Sequence, residues 1–257
     1  MIAVEAITFQ YSPGPVFEDF SWRVQRGDTW AVLGPSGCGK STLLALLAGL
    51  LLPSSGRVRI DGAALLRPRP QTGLILQDYG LLPWATVRQN AGLGLKVRRF
   101  YGADGIHAPR DPVPGRSVDF WLDRLGLVPV ADQYPAQLSG GQRQRTAIAR
   151  TLLLQPDLLL MDEPFSSLDT PTREALQVLT MELAAEQNLT LVLVTHALEE
   201  AALLGRKILL LHEPPNRLAD LVDNPGAGNP AYRESRAYAG LCQDLRRRLE
   251  MIPVRPR

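Results

Sequence analysis

The sequence predicts an α/β fold, a largely parallel β-sheet covered by helices on both faces, and three observations carry that prediction. After Leu138, short apolar runs alternate with helical stretches: helix to about residue 154, strand 158–161, helix 172–187, strand 190–195, helix 198–204, strand 207–211. Such alternation is what parallel crossover units require. The apolar run 29–33 leads through a glycine-rich loop into a buried helical run at 40–51. The run 158–161 is apolar throughout and ends on two carboxylates, Asp162 and Glu163, as expected of a central strand whose carboxyl end faces a ligand crevice.

The remaining elements follow in order. Residues 2–8 and 16–24 read as strands and 25–28 as a turn. The helix at 40–51 is expected to stop at Pro53, with Ser54-Ser55-Gly56 forming the next turn. Short strands are expected at 57–60 and 73–76. From about Pro83 to Gln137 the pattern changes to short helices separated by Pro and Gly, with a surface loop at 102–115. Residues 223–230 read as a linker and 231–250 as a terminal helix, and there is no internal repeat.

Composition narrows the class without naming a function. The chain has 257 residues, 45% hydrophobic and 21% charged, with 22 Gly and 21 Pro, which excludes collagen-like, wholly disordered and disulfide-scaffold proteins. Cys38 and Cys242 give no metal-site or disulfide spacing, so a reducing compartment is expected. The net charge of +2 does not point to nucleic acid. Met1-Ile-Ala-Val-Glu5 has no basic segment followed by an apolar stretch, so no signal peptide is expected. The longest apolar run, 43–52, falls well short of the roughly 20 residues a membrane span needs; a membrane role would come through a partner.

Gly34-Pro35-Ser36-Gly37-Cys38-Gly39-Lys40-Ser41 fits G-x-x-x-x-G-K-[ST], between a predicted strand and a predicted helix. Glycines let backbone N–H groups turn inward around phosphates, and the helix N-terminus adds the positive end of its dipole. Lys40 can reach the β- and γ-phosphates, the Ser41 hydroxyl can ligate Mg²⁺, and Thr42 is placed to donate to an α-phosphate oxygen. Cys38 reads as a small side chain that stays out of the way. Asp162 is the natural partner of Mg²⁺ from behind its direct ligands, and Glu163 could accept a proton from an attacking water.

Leu138-Ser139-Gly140-Gly141-Gln142 opens a predicted helix, with Gln142 20 residues before Asp162. Ser139 and two glycines at a helix N-terminus make an anion site. Together with the two motifs above, this pentapeptide resembles the signature of ATP-binding cassette ATPases. The likeness runs from about residue 3 to residue 212, and kinases and GTPases with a phosphate loop lack the signature. It implies a P-loop NTPase core with an antiparallel β subdomain and an inserted helical subdomain. The core would be 1–82 and 138–222, the helical subdomain 83–137, and the terminal linker and helix 223–257. It further implies that Tyr11 stacks on adenine and that Gln77 contacts Mg²⁺ and water and senses a transmembrane partner. Ser167-Leu168-Asp169 would cross a dimer interface, and His196, after Thr195, would contact the γ-phosphate. ATP and Mg²⁺ are the implied cofactors. Two copies, or two homologous ATPase subunits, would sandwich two ATP molecules head to tail. The loop of one and Ser139, Gly140, Gly141 and Gln142 of the other would then hold the same triphosphate.

The segment from Gln77 through Trp84 to Asn90 resembles the ATPase subunits of nitrate, sulfonate, taurine and thiamine-precursor importers. That resemblance implies a motor at the cytoplasmic face of the membrane, with permease subunits on Leu81, Leu82 and Trp84 and a solute-binding protein in the same system. Trp84 packed inside the helical lobe is the alternative for that residue. A soluble cassette ATPase acting on nucleic acid or ribosomes, and an exporter subunit, are the competing classes. One loop, one signature and no strongly basic appendage argue against the first of these. The arginines at 246–248 read as a solvated helix face.

Overall fold

The computed structural model describes residues 1–12, 14–101 and 115–250. The loop expected at 102–115 lies, except for Gly115, outside the described residues. The chain divides into two compact units. The first holds Met1–Pro68, Leu160–Glu163 and Gln177–Arg257, and the second Arg69–Leu159 and Pro164–Leu176.

The first unit has two sheets. In one, β1 (Ile2–Tyr11) lies between β2 (Gly14–Val24) and β4 (Ser55–Ile60), with β5 (Ala63–Ala64) at the edge, all antiparallel. Ile2 and Val4 and, beyond a register shift at Ala6, Ile7 and Phe9 are buried, a period-two pattern on each side of the irregularity, as in a sheet with one wet face. The other sheet runs β10 (Asp220–Asp223), β9 (Lys207–Leu210), β3 (Thr29–Leu33), β8 (Thr190–Val194), β7 (Leu158–Asp162). β3 pairs in parallel with both neighbours, Ala31 opposite Leu193 on one side and Ile208 on the other. Every residue of β8 is buried, and all but the first of β3 and β9, as expected when helices cover both faces. β10, which the sequence pattern does not reveal, closes this edge antiparallel to β9.

Helix α1 (Lys40–Leu47) is shorter than the 40–51 expected, and Pro53 is not what ends it. Gly49 takes φ +72°, and a Cβ there would sit 2.5 Å from the Arg67 carbonyl oxygen, so the chain turns out of the helix at a position only glycine tolerates.

The expected linker at 223–230 is packed rather than loose. Asn224 is buried, and its side-chain amide donates to the Ala202 and Gly205 carbonyls at 2.8 Å each, satisfying the last turn of α6 (Leu198–Leu204). A short 3₁₀ turn at Pro230–Glu234 leads into α7 (Arg236–Glu250). Residues 223–250 are therefore part of the first compact unit and not a separate appendage. Leu241, Leu245 and Leu249 form an i, i+4, i+8 stripe on α7 that packs on Ala31, Leu33, Ala201, Ile208 and Leu210. Arg246 and Arg247 are exposed, while Arg248 bridges Asp244 and Asp220 at 2.9 and 3.2 Å. Because Leu245 is fully buried, Leu245→Ala is expected to cost about 2–5 kcal/mol. Arg246→Ala should stay within about 0.5 kcal/mol. Equilibrium urea unfolding checks both.

The second unit contains β6 (Thr72–Ile75), α2 (Val87–Tyr101), α3 (Val118–Arg124) and α4 (Gly140–Leu152). α5 (Thr170–Glu186) begins in this unit and ends in the first. The second unit therefore takes in residues 69–82, 138–159 and 164–176, which the expected division assigned to the core. The reason is packing: α4 lies against both α2 and β6, so the helical lobe and the signature helix form one body.

Candidate functional site

In the first unit, β3 delivers the chain into the loop 34–39, and α1 starts at Lys40. Gly37 and Gly39 adopt φ +80° and +107°. Lys40 is only 7% exposed, and its Nζ donates to the Gly34 and Pro35 carbonyls at 2.9 Å each, so the ammonium is folded back over the loop. Cys38 is buried in the same turn, and burial pushes its thiol up from the ordinary value. That makes it a poor nucleophile.

The carboxylates arrive from β7. Asp162 ends the strand and accepts a hydrogen bond from Ser41 Oγ at 3.2 Å. Burial pushes the Asp162 carboxyl up; the Ser41 hydroxyl opposes this, the neighbouring Glu163 adds to it, and Lys40 opposes it. Glu163 has left the strand: its φ is +44°, and its N–H donates to the Val194 carbonyl at 2.9 Å. A non-glycine residue held at positive φ stores backbone strain that the surrounding contacts must offset. Here the strained turn brings Glu163 Oε2 to 3.1 Å from His196 Nδ1. His196 follows β8, where a second turn is fixed by Thr195. The Thr195 hydroxyl donates to Glu200 at 2.6 Å and accepts from the Ala197 N–H at 3.0 Å.

These groups share one cavity of about 450 Å³. Tyr11 and Val16 line it from the β1–β2 hairpin, Ser36, Gly37 and Gly39 from the loop, Lys40, Ser41 and Thr42 from α1, and Glu163 and His196 from the strand ends. Tyr11 is 51% exposed and is set edge-on against Phe9, with ring centroids 4.9 Å apart. The fold thus brings together Tyr11, the loop residues Ser36, Gly37, Gly39, Lys40, Ser41 and Thr42, and Glu163 and His196; Asp162 joins through Ser41. Gly34, Pro35 and Cys38 shape the turn without lining the cavity. Val16 was missed by sequence reasoning, because a strand valine carries no chemical signal.

The other expected site residues belong to the second unit. Ser139 caps α4 as one half of a reciprocal pair: its Oγ accepts from the Gln142 N–H at 3.2 Å, and Gln142 Oε1 accepts from the Ser139 N–H at 2.9 Å. A Cβ on Gly141 would meet Thr172 Cγ2 at 2.5 Å, so part of the demand for glycine is close packing on α5. Asp169 accepts from the Thr172 N–H at 3.3 Å, and the Thr172 hydroxyl, followed by its N–H, holds the carboxyl below its usual range. Gln77 is exposed just beyond β6. The turn after it is clamped from two sides, as the Tyr79 hydroxyl lies 2.8 Å from Ser167 Oγ and Arg150 donates to the Tyr79 and Gly80 carbonyls at 2.7 and 2.6 Å. Asn90, fully buried, closes the turn 82–86. Its Oδ1 accepts from the Leu82 N–H at 2.8 Å and its Nδ2 donates to the Ala85 carbonyl at 2.8 Å. Trp84 stands out of that turn 73% exposed, so it does not pack inside the lobe.

The sequence model of the family described as "ABC transporter" matches residues 17–166. The chain is 44% identical over 210 residues to an aliphatic sulfonates import ATP-binding protein of Burkholderia cenocepacia, covering 82% of this chain and 73% of that one. It is 43% identical over 203 residues to a taurine import ATP-binding protein of Pseudomonas aeruginosa, with 79% and 74% covered. A solved dimeric, post-hydrolysis ATP-binding cassette bound to ADP and Pi superposes with a TM-score of 0.71 at 27% identity, over 87% of this chain and 98% of that one. The loop, the strand-end carboxylates and the glycine-capped helix are thus found in a chain whose match to these proteins extends over most of its length, and this chain belongs to the ABC transporter family.

Proposed function

We propose that this chain is the ATP-binding and ATP-hydrolysing subunit of a membrane importer for small solutes of the sulfonate, taurine and nitrate kind. The observation that carries the enzymatic part is the single cavity onto which Lys40, Ser41, Glu163 and His196 converge. In this reading the loop N–H groups and Lys40 hold the phosphates, and Tyr11 stacks on the base. The Glu163 carboxylate takes the proton of the attacking water, and His196 is held beside it, next to the terminal phosphate. Catalysis is then mostly positioning and charge stabilisation.

The donor set also fits Mg²⁺. A hydroxyl and a carboxylate oxygen meet at Ser41 and Asp162. These are hard oxygen donors of the kind Mg²⁺ takes alongside phosphate and water. Ser41 would ligate it, with Asp162 behind Ser41; when bound, the ion neutralises phosphate charge.

The loop supplies donors from one side of the triphosphate only. The far side falls to Ser139, Gly140 and Gly141 of a second copy or a homologous subunit, with Asp169 near the shared interface. Permease subunits would dock on the segment from Gln77 to Trp84, where an indole in water is an unfavourable exposure that a partner relieves. In this reading the chain sits peripherally on the cytoplasmic face of the membrane, in a system with an extracytoplasmic solute-binding protein and no nucleic-acid partner.

The test is affinity purification from cells that express the whole transport system. The chain is expected to retain a multi-span membrane protein, and Trp84→Glu to lose most of it while keeping ATP hydrolysis in detergent-free solution. Purification with ribosomes or nucleic acid and no membrane protein would overturn the importer reading.

A further inference from the structure

Asn216, in the loop between β9 and β10, carries no chemical motif, yet it is 2% exposed and every polar atom of its side chain is engaged. Its Nδ2 donates to the Cys38 carbonyl at 2.8 Å and to the Val16 carbonyl at 3.3 Å, and its Oδ1 accepts from the His212 N–H at 2.8 Å. Its backbone joins β2 as well: the Asn216 N–H donates to Val16 O at 2.9 Å, and the Glu18 N–H donates to Asn216 O at 3.0 Å. One buried amide therefore ties together three segments distant in sequence: the phosphate loop at Cys38, the β1–β2 hairpin at Val16 and the chain leaving β9.

The bond to Cys38 has a directional consequence. In a planar trans peptide the C=O and the following N–H point in opposite directions. Holding the Cys38 carbonyl toward Asn216 turns the Gly39 N–H to the opposite face, and Gly39 lines the cavity. We infer that Asn216 is a positioning residue for the phosphate loop, orienting the Cys38–Gly39 peptide so that the Gly39 N–H is presented to a bound nucleotide phosphate. The inference rests on the nucleotide-binding reading above. The same amide fixes the spacing between the loop and Val16, the hairpin residue that also lines the cavity. Arg217, one residue on, lies at the surface and pairs with Glu18 at 2.9 Å, so its substitution serves as a control.

Asn216→Asp keeps the shape and the acceptor for the His212 N–H, but puts an oxygen where the donor to Cys38 and Val16 stood. Ionised, that oxygen repels both carbonyls; protonated, it can donate to one. Burial raises the carboxyl, bringing its titration toward neutral pH. The expected result is a KM for ATP about tenfold above wild type at about pH 8, with kcat held within about twofold and the ratio narrowing toward about pH 6. Dividing by wild type at each pH removes contributions from the neighbouring Cys38, His212, Glu18 and Arg217. A role confined to stability would reduce the folded fraction without moving KM or giving it this pH profile.

Asn216→Ala provides an independent reading in direct binding of ADP with Mg²⁺. An affinity loss of about tenfold is expected, with Arg217→Ala unchanged. Wild-type protein that binds no ADP overturns the nucleotide reading and the inference with it. Wild-type binding matched by a folded Asn216→Ala overturns the inference alone. Failure of both Asn216 variants to fold assigns the residue a purely structural role and likewise overturns the inference.

Discussion

Glu163→Gln is expected to lower ATP turnover by about 10²–10⁴-fold while nucleotide affinity changes little, and to accumulate an ATP-bound closed dimer. The amide has the shape of the carboxylate and can occupy the same place beside His196, where Glu163 Oε2 now lies 3.1 Å from Nδ1, but it cannot take a proton from water. In the proposed reading binding uses the loop, which the substitution leaves alone, so the loss would fall on the chemical step. Without hydrolysis the γ-phosphate would persist between the two copies of the proposed head-to-tail dimer. Steady-state phosphate release, a filter-binding affinity for ATP and size-exclusion chromatography with ATP read the three parts separately. Ordinary turnover in the variant would remove Glu163 from the role of base.

Lys40→Ala should act one step earlier, on binding. Its ammonium is the one cation among the cavity-lining residues apart from any protonated His196, and it is held over the loop by the Gly34 and Pro35 carbonyls. A triphosphate offers stronger, charged acceptors, and charge-assisted hydrogen bonds are worth about 1.5–3 kcal/mol each. The affinity for ATP is therefore expected to fall by about 10- to 100-fold, measured by isothermal titration. The thermal midpoint of the nucleotide-free protein should also fall, because two loop carbonyls lose their donor. Lys40→Arg is no conservative rescue, since the broad planar guanidinium does not fit a site only 7% exposed. Unchanged affinity would take Lys40 out of phosphate contact. The two variants thus separate binding from chemistry in the same cavity.

The parts of the site that were legible in the sequence are those where chemistry demands a residue type at a fixed spacing. The loop Gly34–Ser41, the strand-end pair Asp162–Glu163 and the signature Ser139–Gln142 all have backbone reasons for their composition. Strands 29–33 and 207–210 were equally legible, because burial on both faces forces continuous apolarity. The failures have a common cause. Residues 223–230 read as a linker because Pro and Gly dominate them, whereas the order there comes from Asn224 reaching the end of α6, 19 and 22 residues away. Helix α1 ends at Leu47 as the chain turns out through Gly49 at φ +72°, a position where the Arg67 carbonyl leaves no room for a Cβ, a contact that local pattern does not encode. Trp84 packed inside the lobe was one of two readings on sequence, and only the Asn90-closed turn excludes it by turning the indole into solvent.

By itself, the sequence determined the fold class, the family resemblance and the chemical character of the cavity, since periodicity and motif spacing are local and survive without coordinates. Tertiary structure alone decided which groups meet: Glu163 turned onto His196 by a strained backbone, Asp162 set against Ser41, and Asn216 brought back from the far end of the chain to hold the loop at Cys38. Those contacts join residues up to 178 positions apart. Such pairings are fixed by how strands order themselves in a sheet, and a one-dimensional pattern carries that order only implicitly.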